Sequence, residues 1–263
     1  MKKIMVIGYG AMAQTVLPTL PENVKVGWVV VMPQDIEATK QLVGSDVEVV
    51  SQVNDITGRP DRVIEMAGQA GLRAHIFDLI EKGLGIGVFS VGTFADSQFS
   101  ETVRSEAKKH HARVYVLSGA VAGVDGLASA KVAGLSSVVY QGRKNPRSWK
   151  GSHAEKLVDL DAIQEATLFF RGNAREAATL FPANANVAAT LALAGVGMEQ
   201  TAVELIADPE MQCNQHKILA KGAFGEMEIV MRGVPLENNP KTSMLAALSV
   251  ARFCNQLDDS LIV

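Results

Sequence analysis

The sequence predicts an α/β fold: an N-terminal Rossmann-type doubly wound parallel sheet, a smaller α+β substrate domain, and a C-terminal helix that returns to the first domain. Three observations predict it. Short β-rich runs alternate with helical patterns over about the first 120 residues. The first run ends in a glycine turn that opens a small-residue helix. Beyond Gly123 the runs no longer alternate regularly with helices, and two of them flank a glycine-bearing hairpin turn.

The first run, Ile4 to Ile7, is short and apolar enough for a buried strand and turns through Gly8-Tyr9-Gly10-Ala11-Met12-Ala13 into a helix. Pro18 lies deep in that helix and should shorten or kink it, because proline has no backbone N–H to donate. The next strands are Lys25 to Met32, Val47 to Val50, Arg62 to Met66, Ile86 to Ser90 and Arg113 to Leu117. Between them apolar residues recur at helical spacing over Asp35 to Val43, Gly71 to Lys82 and Ser97 to His110. Such alternation predicts parallel neighbours joined by right-handed crossovers. Each strand ends near a Gly, Ser or Asp, on the edge where a doubly wound sheet gathers its binding loops.

In the second part, Ser137 to Tyr140, Glu165 to Arg171, Lys217 to Ala220 and Glu226 to Arg232 read as antiparallel strands. The last two are joined by Lys221-Gly222-Ala223-Phe224-Gly225, whose glycines suit a hairpin. Helical patterns at Val124 to Val132, Ala174 to Leu180 and Val187 to Gly195 would cover one face of that sheet. The segment Asn238-Asn239-Pro240-Lys241-Thr242-Ser243 then leads to an apolar-faced helix, Met244 to Leu257. The expected division is 1–122 with 241–263 for the first domain and 123–240 for the second.

Composition removes several function classes. With 263 residues and 48% hydrophobic content the chain can bury ample core. A net charge of -3 with no basic stripe argues against nucleic acid as a partner. Two cysteines, Cys213 and Cys254, make neither a disulfide framework nor a thiolate metal cluster, so no metal is expected and a reducing cytoplasm fits. Met1-Lys2-Lys3-Ile4 runs straight into a strand, leaving no room for a signal peptide, and no stretch is long and apolar enough to span a membrane.

The glycine turn exposes backbone N–H groups to a pyrophosphate, which makes Gly8, Gly10, Ala11, Met12 and Ala13 the expected dinucleotide-binding residues. The alternative is a tight strand-to-helix turn that binds nothing. The second strand ends Val29-Val30-Val31-Met32-Pro33, with no Asp or Glu to grip a ribose 2′-hydroxyl and no Arg for a 2′-phosphate, so dual or indifferent use of NAD or NADP is expected. Ser118 to Asp125 is rich in small residues and suits close approach of a flat ring, or equally a crowded domain junction. In Phe181-Pro182-Ala183-Asn184-Ala185-Asn186-Val187, the asparagines suit either helix capping or contact with a carboxamide.

Five histidines are candidates for proton transfer near neutral pH. His110 and His111 close a helix, His153 lies in a polar loop, and His75 sits on a helix after Gly68. His216 alone begins a strand, beside Asn214, in the domain expected to bear substrate; the plain alternative is a strand histidine satisfied by a backbone carbonyl.

Several stretches together carry a family likeness: Glu65-Met66-Ala67-Gly68-Gln69-Ala70, Ser90-Val91-Gly92-Thr93-Phe94-Ala95-Asp96, Ser118 to Asp125, and Phe181 to Val187. Asp208-Pro209, Asn214-Gln215-His216 and Asn239-Pro240-Lys241-Thr242-Ser243 continue it. On these residues the chain resembles the L-aspartate dehydrogenase family, built on the plan of homoserine dehydrogenase and dihydrodipicolinate reductase. The resemblance implies NAD- or NADP-dependent oxidative deamination of L-aspartate to oxaloacetate and ammonia through iminoaspartate, reversibly, with a place in NAD biosynthesis. It implies His216 as the active-site residue and Ala120 and Asn186 as dinucleotide contacts. Ala13 in place of a third glycine is a mild departure that still permits close helix packing.

Two substrate carboxylates need hydrogen-bonding or cationic partners. Lys241, Thr242 and Ser243 are the expected ones, and the alternative is that Thr242 or Ser243 merely caps the final helix. Arg143, Lys144, Arg147 and Lys150 could supply charge instead or coat a loop. A homodimer is expected, because the apolar sheet and Ala-rich helices of the second domain offer a face to bury. Two other readings stay open: a related dehydrogenase or imine reductase for another small amino or dicarboxylic acid, and a nucleotide-binding regulator without turnover.

Overall fold

Runs of aliphatic residues build a first sheet buried on both faces. β1 (Lys2–Ile7), β2 (Val24–Val30), β3 (Glu48–Val50), β4 (Arg62–Glu65), β5 (Gly85–Val88) and β6 (Arg113–Val116) pair in the order β3-β2-β1-β4-β5-β6, every pair parallel. Ile4, Met5, Val6 and Ile7 of the central strand are all buried, as a strand covered on both faces requires. The structure, a computed structural model, describes all residues except Ala183, Asn184, Glu237, Asn238 and Val263, with the backbone alone for 239–241. Asn184 of the expected asparagine pair and Asn238 of the expected re-entry segment therefore lie outside the described residues.

Helix α1 (Ala11–Val16) is only six residues long and passes into a 3-10 turn, Leu17–Thr19, that seats Pro18 in its first positions. The missing N–H of Pro18 thus ends the α-helix rather than kinking a longer one. α2 (Ile36–Val43) follows, then α3 (Gly68–Glu81), which buries Leu72, Ile76, Leu79 and Ile80. α4 (Ser97–Lys109) is capped by Asp96, whose carboxylate accepts from the Phe99 N–H at 3.1 Å.

The second unit holds α5 (Val124–Ala133), α6 (Ala174–Leu180), α7 (Ala185–Ala194) and five strands. The strands are β7 (Leu135–Lys144), β8 (Thr167–Asn173), β9 (Thr201–Ala207), β10 (Asn214–Gly222) and β11 (Gly225–Gly233), in the order β11-β10-β7-β9-β8. β10 and β11 form the expected hairpin about Ala223 and Phe224, with Gly225 at φ +112°. Two expectations need correction. The sheet is mixed, because β7 and β9 pair in parallel, and β9 was not anticipated at all. The long connection between β7 and β9, which holds β8, α6 and α7, gives the chain room to run both strands the same way. α6 begins where the sequence places it because Asn173 and Glu176 form a reciprocal capping box.

Asn239-Pro240-Lys241-Thr242-Ser243 is not a loop but strand β13 (Asn239–Ser243), paired antiparallel with β12 (Pro235–Leu236). The second unit consequently runs from Ser118 to Ala246 and the first comprises 1–117 with 247–263, compared with the expected bounds of 123–240 and 1–122 with 241–263. The final helix, α8 (Met244–Asn255), contributes its residues from Ala247 on to the first unit. There Arg62 donates to the Phe253 carbonyl at 2.6 Å and lies 4.3 Å over the Phe253 ring. Gly87 lacks the Cβ that would collide with that ring. Among the described residues no helix is long and apolar enough to cross a membrane.

Candidate active site and dinucleotide cleft

The glycine turn of the first unit is shaped by two different constraints. Gly8 has φ +89°, and a Cβ there would lie 2.8 Å from the Cα of Ala67, so fold and packing both demand glycine. Gly10 has ordinary extended geometry, φ -82° and ψ -168°, and a Cβ there would meet nothing within 4 Å. Nothing among the described residues requires glycine at position 10, and the space beside it is open. The first N–H groups of α1 have no intrahelical acceptor, which suits the pyrophosphate expected at Gly8, Gly10, Ala11, Met12 and Ala13.

Beside the turn lies a cleft of about 750 Å³ over the ends of β1, β2 and β4, lined by Gly8, Tyr9, Gly10, Val30, Met32 and Asp35, and by Met66, Gly71 and His75 from the other wall. Its volume and mostly apolar lining suit an adenosine moiety. His75 Nδ1 is buried there with no hydrogen-bond partner among the described residues, and burial lowers its pKa.

At the C-terminal edge of β4, Glu65 is 1% exposed and accepts four hydrogen bonds. One oxygen takes the Ala67 N–H at 2.8 Å and the Ser90 hydroxyl at 2.7 Å; the other takes the N–H groups of Ser90 at 2.9 Å and Phe89 at 3.3 Å. Burial raises its pKa, against the pull of those donors. The carboxylate ties the loop after β4, which carries Ala67 against Gly8, to the loop after β5.

In the second unit, residues of one parity on β7 and β10 share a sheet face. His216 pairs with Gly142, and Tyr140 and Lys144 flank that glycine on β7. His216 is 5% exposed, and its Nδ1 lies 2.8 Å from the Tyr140 hydroxyl, the two rings stacked at 5.9 Å. Gly142 makes this contact possible: a Cβ there would stand 2.8 Å from the Tyr140 hydroxyl oxygen. Burial of Tyr140 pushes its pKa up, so it remains a phenol. Burial lowers the Lys144 ammonium to about 8, over the Trp149 ring at 4.9 Å. His216 is lowered to about 4, chiefly by burial and then by the Lys144 charge, so at neutral pH it is an uncharged imidazole.

Lys144 therefore does not coat a loop, and neither does Arg143, which pairs at 3.2 Å with the buried carboxylate of Asp208. Both stand at the end of β7. Ser243 lies by the same end of β10 as His216: a Cβ on Gly233, the partner of Asn214, would be 2.8 Å from its hydroxyl. That hydroxyl is buried with no hydrogen-bond partner among the described residues, so Ser243 does not cap α8. Thr242 is half-buried, and the Lys241 side chain lies outside the described residues. Ala120 is half-buried in a turn flanked by Gly119 at φ +63° and Gly123 at φ +72°, and Asn186 is half-buried in the first turn of α7. Sequence reasoning missed Tyr140, Glu65 and Asp35, and left Lys144 as one of four basic candidates and His75 as one of five histidines. Only the parity of Tyr140, Gly142 and Lys144, once β7 and β10 are put in register, could have pointed to Tyr140 and singled out Lys144.

Residues 125–257 match the family described as aspartate dehydrogenase, C-terminal, and residues 8–117 match the homoserine dehydrogenase NAD binding domain. An L-aspartate dehydrogenase of Acinetobacter baumannii is 53% identical over 254 residues, covering 97% of each chain. One from Psychrobacter cryohalolentis is 50% identical over 258 residues, covering 98% of each. Of solved structures, aspartate dehydrogenase from Thermotoga maritima is similar with a TM-score of 0.79 and 26% identity, covering 100% of this chain and 99% of that one. A homoserine dehydrogenase from Thiobacillus denitrificans, at 12% identity and a TM-score of 0.60, covers 98% of this chain and 74% of that one and shares the fold alone.

Proposed function

This chain belongs to the L-aspartate dehydrogenase family and is an NAD(P)-dependent oxidoreductase, and from that premise we propose that His216 is the proton-transfer group in the reversible oxidative deamination of L-aspartate to oxaloacetate and ammonia. The observation that carries this reading is the buried, uncharged His216 imidazole held through Nδ1 by Tyr140.

The chemistry asks for such a group twice. Hydride leaves the α-carbon only when the amino group is neutral, so a base must first take a proton from the ammonium. We assign the tautomer in which Nδ1–H donates to the Tyr140 oxygen, which leaves the Nε2 lone pair of His216 as the acceptor. When bound, the dinucleotide supplies the hydride acceptor. Once His216 has given its first proton to solvent, the substrate iminium, iminoaspartate, takes up water, and His216 accepts the proton released as that water adds and returns it to the nitrogen as ammonia leaves. General acid–base help of this kind is worth about 100- to 10,000-fold.

Gly8, Gly10, Ala11, Met12 and Ala13 are the residues we assign to the pyrophosphate, supported by the open space at Gly10, with Ala120 and Asn186 as further dinucleotide contacts on the strength of the family likeness. Ser243, Thr242, Lys241 and the Lys144 ammonium are the partners we assign to the substrate carboxylates. The unpartnered Ser243 hydroxyl supports this, since a buried hydroxyl without a partner costs free energy that a ligand would recover. A homodimer in a reducing cytoplasm, serving NAD biosynthesis, is the setting we propose: both cysteines are free, and the sheet face away from His216 exposes Leu168 and Val230.

The test is the absorbance of reduced nicotinamide when the protein is offered L-aspartate with NAD or NADP, and oxaloacetate plus ammonium with the reduced forms. Turnover specific for the L-enantiomer is expected. Turnover of another amino acid in preference to aspartate would overturn the substrate assignment.

A further inference from the structure

The second strand reaches the cleft without an acidic residue, yet the chain does not leave the cleft there. It turns through Pro33–Asp35, a 3-10 turn held by the Asp35 N–H donating to the Met32 carbonyl at 2.9 Å, and brings Asp35 to the cleft wall just before α2. Its carboxylate makes no capping hydrogen bond to α2 and is exposed. Opposite it, from α3, stands His75 with its unpartnered buried Nδ1. Among the described residues that line this cleft there is no Lys and no Arg. The nearest basic side chain along α2, Lys40, is paired with Glu37 at 2.8 Å.

We infer that Asp35 makes this cleft selective for NAD over NADP, by accepting hydrogen bonds from the adenosine ribose hydroxyls and repelling a 2′-phosphate. The inference rests on the reading of the cleft as the adenosine end of the dinucleotide site. The ribose of a dinucleotide bound at the turn after β1 lies beyond the end of β2, where a carboxylate matches the two hydroxyl donors. A 2′-phosphate would bring close to two negative charges against that carboxylate with no cation on the cleft wall to meet them. A neutral His75 accepts or donates one hydrogen bond but does not supply the missing charge.

Dissociation constants for NAD and NADP, measured by calorimetry on the whole protein at low ionic strength, test this without recourse to turnover. The wild type is expected to bind NAD at least about ten-fold more tightly than NADP, with a gap that narrows as salt rises, because the repulsion is screened. Asp35→Ser is expected to close most of the gap by tightening NADP, and Asp35→Arg to reverse it. Asp35 is exposed and caps nothing with its side chain, so melting temperatures of both variants should match the wild type. Equal affinity of the wild type for both dinucleotides, or a ratio unmoved by Asp35→Ser, would overturn the role of Asp35 and leave the cofactor site standing. Failure of both dinucleotides to bind the wild type would overturn the cofactor site and the role of Asp35 together.

Discussion

The Tyr140 hydroxyl stands 2.8 Å from His216 Nδ1, across a glycine, Gly142, whose missing side chain leaves the hydroxyl its place. The pair fixes which imidazole nitrogen faces the chemistry. Tyr140→Phe leaves Nδ1 buried without a partner, at a cost of about 1–3 kcal/mol. It is expected to lower kcat by roughly ten-fold, the equivalent of about 1.4 kcal/mol, with dinucleotide affinity unchanged. Steady-state kinetics and calorimetry together check it; an unaltered kcat would show that Tyr140 is only filler.

Lys144 sets the electrostatics of the same face. Its charge helps hold His216 at about 4, so Lys144→Met should let the histidine rise toward its ordinary value. The base form of His216 is present above its pKa, and the acid limb of the kcat/KM profile for deamination is therefore expected to move to higher pH. A limb that stays in place would separate Lys144 from His216.

A buried neutral histidine also leaves its mark on stability. The folded-state value of about 4 lies below the ordinary 6.5, so between these values the unfolded chain binds more protons. Stability from this source is complete above pH 6.5 and is lost as pH falls toward 4, by on the order of 3 kcal/mol. His216→Gln should flatten that part of the thermal-melt profile, and an unchanged acid slope would contradict it.

The two glycines of the cofactor turn should respond differently. Gly8→Ala forces a Cβ to within 2.8 Å of Ala67 in a left-handed backbone and is expected to cost at least about 2 kcal/mol of stability. Gly10→Val meets no protein atom, so its stability cost is at most about 1 kcal/mol from the poorer N-cap, while dinucleotide affinity should fall at least about ten-fold. Tight NAD binding by Gly10→Val would mean that this turn is not the pyrophosphate site.

The parallel sheet was readable because its signals are local: uninterrupted aliphatic runs, helical spacing between them, and Pro18 where α1 stops. The glycine turn was readable for the same reason, whereas the role expected of His216 rested on the family resemblance. What escaped depends on register between distant segments. β7 and β10 are far apart in sequence, and only their pairing sets Tyr140 and Lys144 beside His216. Pairing of Asn239–Ser243 with Pro235–Leu236 likewise turns an apparent linker into a strand that leaves the Ser243 hydroxyl buried. Asp35 was passed over because it comes after the strand end, on a turn that a strand-by-strand reading treats as the start of the next helix.

The measurement that bears most directly on the central claim compares His216→Ala with the wild type in L-aspartate-dependent reduction of NAD, alongside dinucleotide affinity by calorimetry. The account predicts a kcat lower by at least about 100-fold with NAD affinity within a factor of about two. Wild-type turnover in His216→Ala would contradict it and move the proton transfer to another group.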